Sequence, residues 1–246
     1  MNQPTAAPET RANRAGLRAV RIGEKTIRTV TDIIFIIILL LGLWYLADTI
    51  YVFYHSRADV TMPYKPQDGD LAALQKELSE EAVGWITLDD TSIDYPVMQG
   101  VDNYVYLNKD PYGDYSLAGS IFLDARNASD FSDDYSLIYG HHMSGGYMFG
   151  ALDMYEDSAY FAEHTTGTLI TERGEFPIEI ISFLYTDAGN DTVFEPETAD
   201  IGTIETFIKE KAINYRAVKG KRIVALTTCK SPTSTRRACL FVRVLE

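Results

Sequence analysis

Residues 222–229 read RIVALTTC, an apolar, β-branched run that stops at a cysteine. A run of this length and composition, bounded by polar residues, is typical of a buried strand. Further runs of the same kind, separated by turn residues, occupy residues 85–88, 93–97, 119–123, 136–139, 168–171, 177–185 and 239–245. About eight short strands with this punctuation predict a mainly β fold, either a closed barrel or a sandwich.

Helical patterns lie before and between the strands. Asp70 can cap an amphipathic helix whose apolar stripe is formed by Leu71, Leu74, Leu78 and Val83. Two more helices are predicted at residues 147–155 and 201–213, the second with apolar side chains in helical phase.

The charge distribution divides the chain. Its 246 residues carry a net charge of −13, but residues 1–30 carry +4 and the remainder −17. The acidic balance argues against a nucleic-acid-binding protein, whose footprint would be basic. Two cysteines are too few for a disulfide-dense scaffold or a cysteine-based structural zinc site.

An apolar segment follows the basic residues 1–30 and joins them to the acidic remainder of the chain. Residues 33–53 form a helix of roughly 31 Å, which matches a bilayer core of about 30 Å. We therefore predict a cytoplasmic tail at residues 1–30, a single transmembrane anchor at 31–54, a linker at 55–70 and an extracellular domain at 71–246. A buried core helix and a cleaved signal peptide are the alternatives for the apolar segment.

Cys229 ends one predicted strand and begins a polar loop, a position that is both rigid and reachable. It is a candidate nucleophile. Two other interpretations stay open: an inert, buried side chain, or a disulfide with Cys239, whose strand could be a neighbour.

A cysteine nucleophile needs a base or a cationic neighbour. His141 and His142 directly follow the strand predicted at residues 136–139. Adjacent residues of an extended chain point in opposite directions, so at most one of them faces a given cysteine. Taken alone, the doublet could also be incidental, and it lacks the companion ligands of a zinc site.

Arg236 and Arg237 lie at the start of the last strand, just before its apolar residues 239–245, where an arginine can bind a substrate carbonyl or a developing oxyanion. A solvated pair at a turn is the alternative. The two-residue period of a strand places Arg237 on the same face as Cys239, Phe241 and Arg243.

The order of these features resembles the sortases, and class B sortases most closely, over residues 71–246. The matching stretches are GWI at 84–86, IDYPV at 93–97, DN at 102–103, GSIFLD at 119–124, YGHHM at 139–143, MF at 148–149 and LTTC at 226–229. The long segment at residues 187–218 also fits class B. Thr227 is a conservative departure, because many members carry serine there.

The resemblance implies a closed eight-stranded β-barrel with an N-terminal amphipathic helix, inserted helices and a transmembrane anchor. It also implies a cysteine transpeptidase with Cys229 as nucleophile, His141 as acid and base, and Arg237 as the group that binds substrate and oxyanion. No metal or organic cofactor is expected. The expected partners are secreted proteins with a C-terminal sorting signal, a peptidoglycan precursor or cross-bridge amine, and the membrane.

Two other functions are compatible with these residues. A thiol endopeptidase would share the thioacyl intermediate and differ only in using water in place of the amine. A non-catalytic surface adhesin on a membrane stalk would need none of the three candidate residues.

Overall fold

The computed structural model of the protein describes residues 11–67, 69–229 and 236–245. The chain divides into two compact units, Met1–Tyr51 and Val52–Glu246. Helix α1 runs over Arg11–His55. By length and composition, its segment Arg18–Tyr54 could cross a membrane. A signal sequence near the N-terminus would meet the same criteria.

The second unit holds five further α-helices and nine strands within the described residues. The α-helices are α2 (Ala58–Thr61), α3 (Leu71–Glu77), α4 (Ser158–Glu163), α5 (Asp191–Phe194) and α6 (Ile201–Lys211). The strands are β1 (Ala82–Leu88), β2 (Asp94–Met98), β3 (Ile121–Leu123), β4 (Tyr135–Tyr139), β5 (Thr166–Thr171), β6 (Gly174–Asp187), β7 (Asn214–Tyr215), β8 (Ile223–Cys229) and β9 (Arg236–Val244). Short 3₁₀ helices occupy Met62–Tyr64, Val105–Leu107, Phe149–Glu156 and Pro196–Thr198.

Eight of these strands close into a barrel. The hydrogen-bonded order is β5-β1-β2-β3-β4-β8-β9-β6, and β6 pairs back onto β5, while the two-residue strand β7 adds to β6 outside the ring. Closure removes the free edges that an open sheet would expose. The prediction of a closed eight-stranded barrel is therefore confirmed, and the sandwich is excluded.

Along β9, the side chains of alternate residues belong to two separate apolar clusters. On β9, Ala238, Leu240 and Val242 belong to the main core cluster. Cys239 and Phe241 belong to a second cluster together with Ile204 and Ile208 of α6. This division follows the two-residue period expected from the sequence, because successive strand side chains point to opposite faces. The second cluster holds α6 against the outer face of the barrel.

The predicted helices differ from the structure in detail. Asp70 caps α3, since the backbone N–H of Ala72 donates to its carboxylate at 3.0 Å. Val83, expected on the same apolar stripe, lies in β1 instead. The helix does not reach Val83, because the chain first makes a turn in which the Ala82 N–H donates to the Ser79 carbonyl at 3.0 Å. The helix expected at residues 147–155 is the 3₁₀ helix Phe149–Glu156.

The segment expected as a linker, residues 55–70, carries α2 and the 3₁₀ helix Met62–Tyr64. Ser56 is buried, and its carbonyl accepts a hydrogen bond from the Tyr95 hydroxyl at 3.1 Å. This segment is therefore packed onto the barrel at least in part.

Candidate active site

Two parallel strands bring the candidate histidine and cysteine to the same edge of the sheet. β4 pairs with β8 in parallel, with Tyr139 opposite Thr227. The pairing continues one residue further, where the Gly140 N–H donates to the Thr227 carbonyl at 3.1 Å. His141 and Cys229 each follow this Tyr139–Thr227 pair by two residues. Their backbones therefore leave neighbouring strands at the same end of the barrel.

The arginine candidate lies on the next strand around the ring. β8 and β9 are antiparallel, and the Cα partner of Cys229 is Arg237. The structure thus brings the backbones of all three candidates to the ends of three consecutive strands. The side chain of Cys229 and residues 230–235 lie outside the part of the chain that is described.

Packing around Gly140 fixes the direction in which His141 leaves its strand. A Cβ atom at position 140 would come within 2.5 Å of the Ile121 side chain and 2.7 Å of the Phe149 ring, so only glycine fits. The His141 carbonyl then accepts the N–H of Phe149 at 3.0 Å. These contacts hold the histidine backbone on both sides.

The half-buried imidazole of His141 has a defined partner. Its Nε2 lies 2.7 Å from the carbonyl oxygen of Leu107. A carbonyl can only accept, so Nε2 carries the proton of this hydrogen bond. Nδ1 is then the ring nitrogen left to exchange a proton with a reacting group.

His142 has a different environment. Its Nε2 lies 3.0 Å from a carboxylate oxygen of Asp153, in the 3₁₀ helix Phe149–Glu156. The Tyr185 hydroxyl donates to the other oxygen of Asp153 at 3.3 Å and to Glu156 at 2.9 Å. The two histidines therefore diverge, as expected for adjacent residues of extended chain, and His142 is tied to a network of acidic side chains.

The two arginines also separate. The guanidinium of the exposed Arg236 lies 5.2 Å from the ring centre of Tyr185. Arg237 is half-buried, and its positive charge opposes the rise in pKa that burial causes at Cys239 and at Tyr139. Arg237 therefore shares the outer face of the sheet with Cys239, as the period of the strand predicts.

Cys239 is a free and fully buried thiol. The alternative of a disulfide between Cys229 and Cys239 is therefore wrong. Burial raises the pKa of the Cys239 thiol to about 12, although a hydrogen-bonding contact with Thr227 and the charge of Arg237 oppose the rise. A thiol in this state stays protonated at neutral pH and is a poor nucleophile.

A buried polar network that the sequence interpretation did not assign lies beside these strand ends. Asp124 is fully buried and accepts both Nε and Nη2 of Arg126, each at 2.9 Å. Asn103 Nδ2 and the Tyr139 hydroxyl donate to the same carboxylate at 2.9 and 3.0 Å. Burial alone would raise the pKa of Asp124, but these hydrogen bonds outweigh it and hold the pKa below its usual range.

Arg126 extends this network to the segment between β6 and β8. Its Nη1 donates to Glu195 at 2.6 Å and its Nη2 to the Phe194 carbonyl at 2.7 Å. Tyr139, whose hydroxyl donates to Asp124, directly precedes Gly140 and His141. Arg126 pairs with both Asp124 and Glu195, and it therefore connects the end of β4, next to the candidate histidine, with the long segment after β6. In the sequence, this network is indicated only by Asp124 and Arg126, which lie two residues apart directly after the strand predicted at residues 119–123.

Comparison with known proteins finds curated relatives that match much of this chain. The chain is 37% identical over 166 residues to sortase B of Listeria monocytogenes, which covers 65% of this chain and 67% of that protein. It is 28% identical over 189 residues to sortase B of Staphylococcus aureus, covering 74% and 76%. No family model matches the chain.

Solved structures give the same assignment. A class B sortase of Streptococcus pyogenes involved in pilus biogenesis has a TM-score of 0.65 and 34% identity, covering 72% of this chain and 98% of that chain. The extent of the match to curated relatives, together with the closed barrel, shows that this chain is a member of the class B sortase family of cysteine transpeptidases.

Proposed function

We propose that the protein is a membrane-anchored transpeptidase that cleaves a C-terminal sorting motif of secreted proteins and joins the new carboxyl end to a cell-wall amine. The observation that carries the proposal is the convergence of the β4, β8 and β9 ends, which bring the backbones of His141, Cys229 and Arg237 together. In a family of cysteine transpeptidases, this is the arrangement that thioacyl transfer requires.

In the first half of the reaction, the Cys229 thiolate attacks the carbonyl carbon of the threonine in the sorting motif. The electron pair moves onto the carbonyl oxygen, and Arg237 stabilises the charge that develops there. When the intermediate collapses, the peptide C–N bond breaks and His141 protonates the leaving amine. The products of this half are a thioester on Cys229 and the released C-terminal peptide.

In the second half, an amine from a peptidoglycan precursor or cross-bridge attacks the thioester. His141 accepts the proton that the amine loses, the C–S bond breaks, and the thiolate of Cys229 is restored. The hydrogen bond from His141 Nε2 to the Leu107 carbonyl supports this role, because it fixes the ring and leaves Nδ1 for proton transfer. Residues of this chain supply every proton transfer in the scheme.

The N-terminal segment supports the proposed location. We assign residues 1–30 to the cytoplasm, 31–54 to the membrane, 55–70 to a connecting segment and 71–246 to the extracellular catalytic domain. The six basic side chains of residues 1–30 precede the apolar part of α1, as the positive-inside rule requires. Removing residues 1–54 is expected to release a soluble domain that keeps its turnover; aggregation or inactivity of the product would argue against this division.

Product analysis by mass spectrometry tests the proposed reaction. A peptide library with candidate sorting motifs is incubated with the protein, with and without an amine nucleophile such as triglycine. Amine-dependent ligated product is expected, and hydrolysis unaffected by amine would favour a thiol endopeptidase. Cys229→Ala should abolish both products, whereas the matched control Cys239→Ala should keep most of the activity. Full turnover by Cys229→Ala would overturn the assignment of the nucleophile.

A further inference from the structure

A small pocket on the outer face of the barrel lies apart from the candidate active site. It is lined by Glu205 and Lys209 of α6, by Arg216 just after β7, and by Arg243 of β9. Neither His141 nor Arg237 lines it. The cavity volume is about 10 Å³, which is room for one molecule or ion of about the size of water.

Arg243 is the most buried cation of this pocket. Its side chain is 5% exposed, and Nη2 donates to a carboxylate oxygen of Glu205 at 2.7 Å. Its Nε and Nη1 are buried and have no hydrogen-bond partner among the described residues. Gly220 packs directly on the aliphatic stem, since a Cβ atom there would come within 2.6 Å of Arg243 Cγ. The guanidinium is therefore fixed in place with two unused donors.

Arg216 contributes a third unused donor. Its Nη2 donates to the Phe161 carbonyl at 3.1 Å, and its guanidinium carbon lies 5.1 Å from the centre of the Phe161 ring. Its Nη1 is buried without a hydrogen-bond partner within the described part of the chain. Both arginines that line the pocket are thus held by other contacts, and each keeps at least one buried N–H group without an acceptor among the residues that the structure describes.

The charges around the pocket do not balance. The charged side chains that line the pocket are three cations, Lys209, Arg216 and Arg243, and one carboxylate, Glu205. Glu179 is the cross-strand Cα partner of Arg243, but no hydrogen bond joins the two side chains. Guanidinium groups stay charged in proteins, so the imbalance cannot be relieved by loss of a proton. A buried donor without an acceptor carries the full cost of its lost hydration, and this cost is larger when the donor is charged.

A water molecule would relieve this imbalance only in part. It can accept from two donors, but it then needs acceptors for its own two protons, and Glu205 is the single carboxylate among the lining residues. An anion accepts from every donor, needs no acceptor, and offsets the excess positive charge. We propose that this pocket binds one small monovalent anion of about the size of chloride, held by Arg243 Nε and Nη1 and by Arg216 Nη1.

The bound anion would fasten α6 to the barrel. Glu205 and Lys209 belong to α6, whereas Arg243 belongs to β9 and Arg216 to the segment that follows β7. The anion would therefore join three elements that the second apolar cluster already brings together, and its binding should stabilise the folded domain by mass action.

Bromide is a direct probe of the site. Crystals of the full chain grown in detergent with sodium bromide should show an anomalous scattering peak between Arg216 and Arg243. Density for a water molecule without anomalous signal would overturn the proposal. A bromide peak without any anion-dependent stabilisation in solution would mean an adventitious ion only, and would also overturn it.

The solution test compares potassium chloride with potassium gluconate at constant ionic strength. The Tm of the full chain should rise with the logarithm of the chloride concentration above the dissociation constant, by about 2–4 °C at several times that constant. Arg243→Met and Arg216→Met should each abolish the rise, and Arg216→Met serves if the first variant does not fold. Arg173→Met removes an exposed arginine and should keep the rise; an equal response in all variants would reveal a general salt effect and refute the site.

Discussion

Replacing Arg126 by methionine should destabilise the catalytic domain strongly, because it leaves the buried carboxylate of Asp124 without its cation. Arg126 makes two hydrogen bonds to Asp124, one to Glu195 and one to the Phe194 carbonyl. Removing one partner of a buried ion pair typically lowers the free energy of unfolding by about 3–5 kcal/mol. Asp124 would keep its bonds from Asn103 and Tyr139, so we expect the lower end, about 3 kcal/mol.

The assay is thermal unfolding of the full chain followed by near-ultraviolet circular dichroism. A loss of about 3 kcal/mol corresponds to a Tm lower by about 6–12 °C for a domain of this size. The control is Arg57→Met, which removes an ion pair with Asp59 whose side chains are 48% and 60% exposed; exposed pairs contribute about 0–1 kcal/mol.

The double variant Asp124→Asn, Arg126→Met separates the orphaned charge from lost packing. Removing the charge should recover a substantial part of the loss, since an amide costs far less to bury than a carboxylate. If Arg126→Met lowers Tm no more than Arg57→Met does, or if the second substitution adds to the damage, the interpretation of Asp124 as a buried, Arg126-dependent charge is refuted.

Three further predictions concern the same end of the barrel. His141→Ala should lower kcat by roughly 10²–10⁴-fold through loss of proton transfer, whereas His142→Asn should be mild; equal losses in peptide turnover would contradict the separate roles. Arg237→Ala should be severe and Arg236→Ala mild, and the reverse order would place the functional arginine one residue earlier. Because the pKa of Asp124 is lowered on folding, its ionised form stabilises the protein above its unfolded pKa of about 3.9, and this contribution is lost as the pH falls through the folded pKa. Acid unfolding of Asp124→Asn should therefore depend less on pH below about 4 than that of the wild type; an unchanged profile would argue against this linkage.

The strand pattern of the barrel was present in the local sequence. Alternation along residues 236–244 predicts that Leu240 and Cys239 face opposite sides, and the structure places them in different apolar clusters. The cap at Asp70 and the helix α6 were predicted for the same reason. Periodicity and capping depend on residues within a few positions of one another, so the sequence alone carries them.

The arrangement of the site depended on contacts between distant parts of the chain. The parallel pairing of β4 with β8 and the closure of β5 on β6 bring together segments that no local pattern relates. In the same way, neither the partner of His141, a carbonyl in the 3₁₀ helix Val105–Leu107, nor the bonds from Arg126 to Glu195 could be inferred from spacing. The sequence by itself determined which side chains are candidates for the chemistry and which face each strand would bury, because those properties are local. Only the tertiary structure decided which strand ends are neighbours and which buried charges are paired, because these depend on how the closed sheet orders its strands.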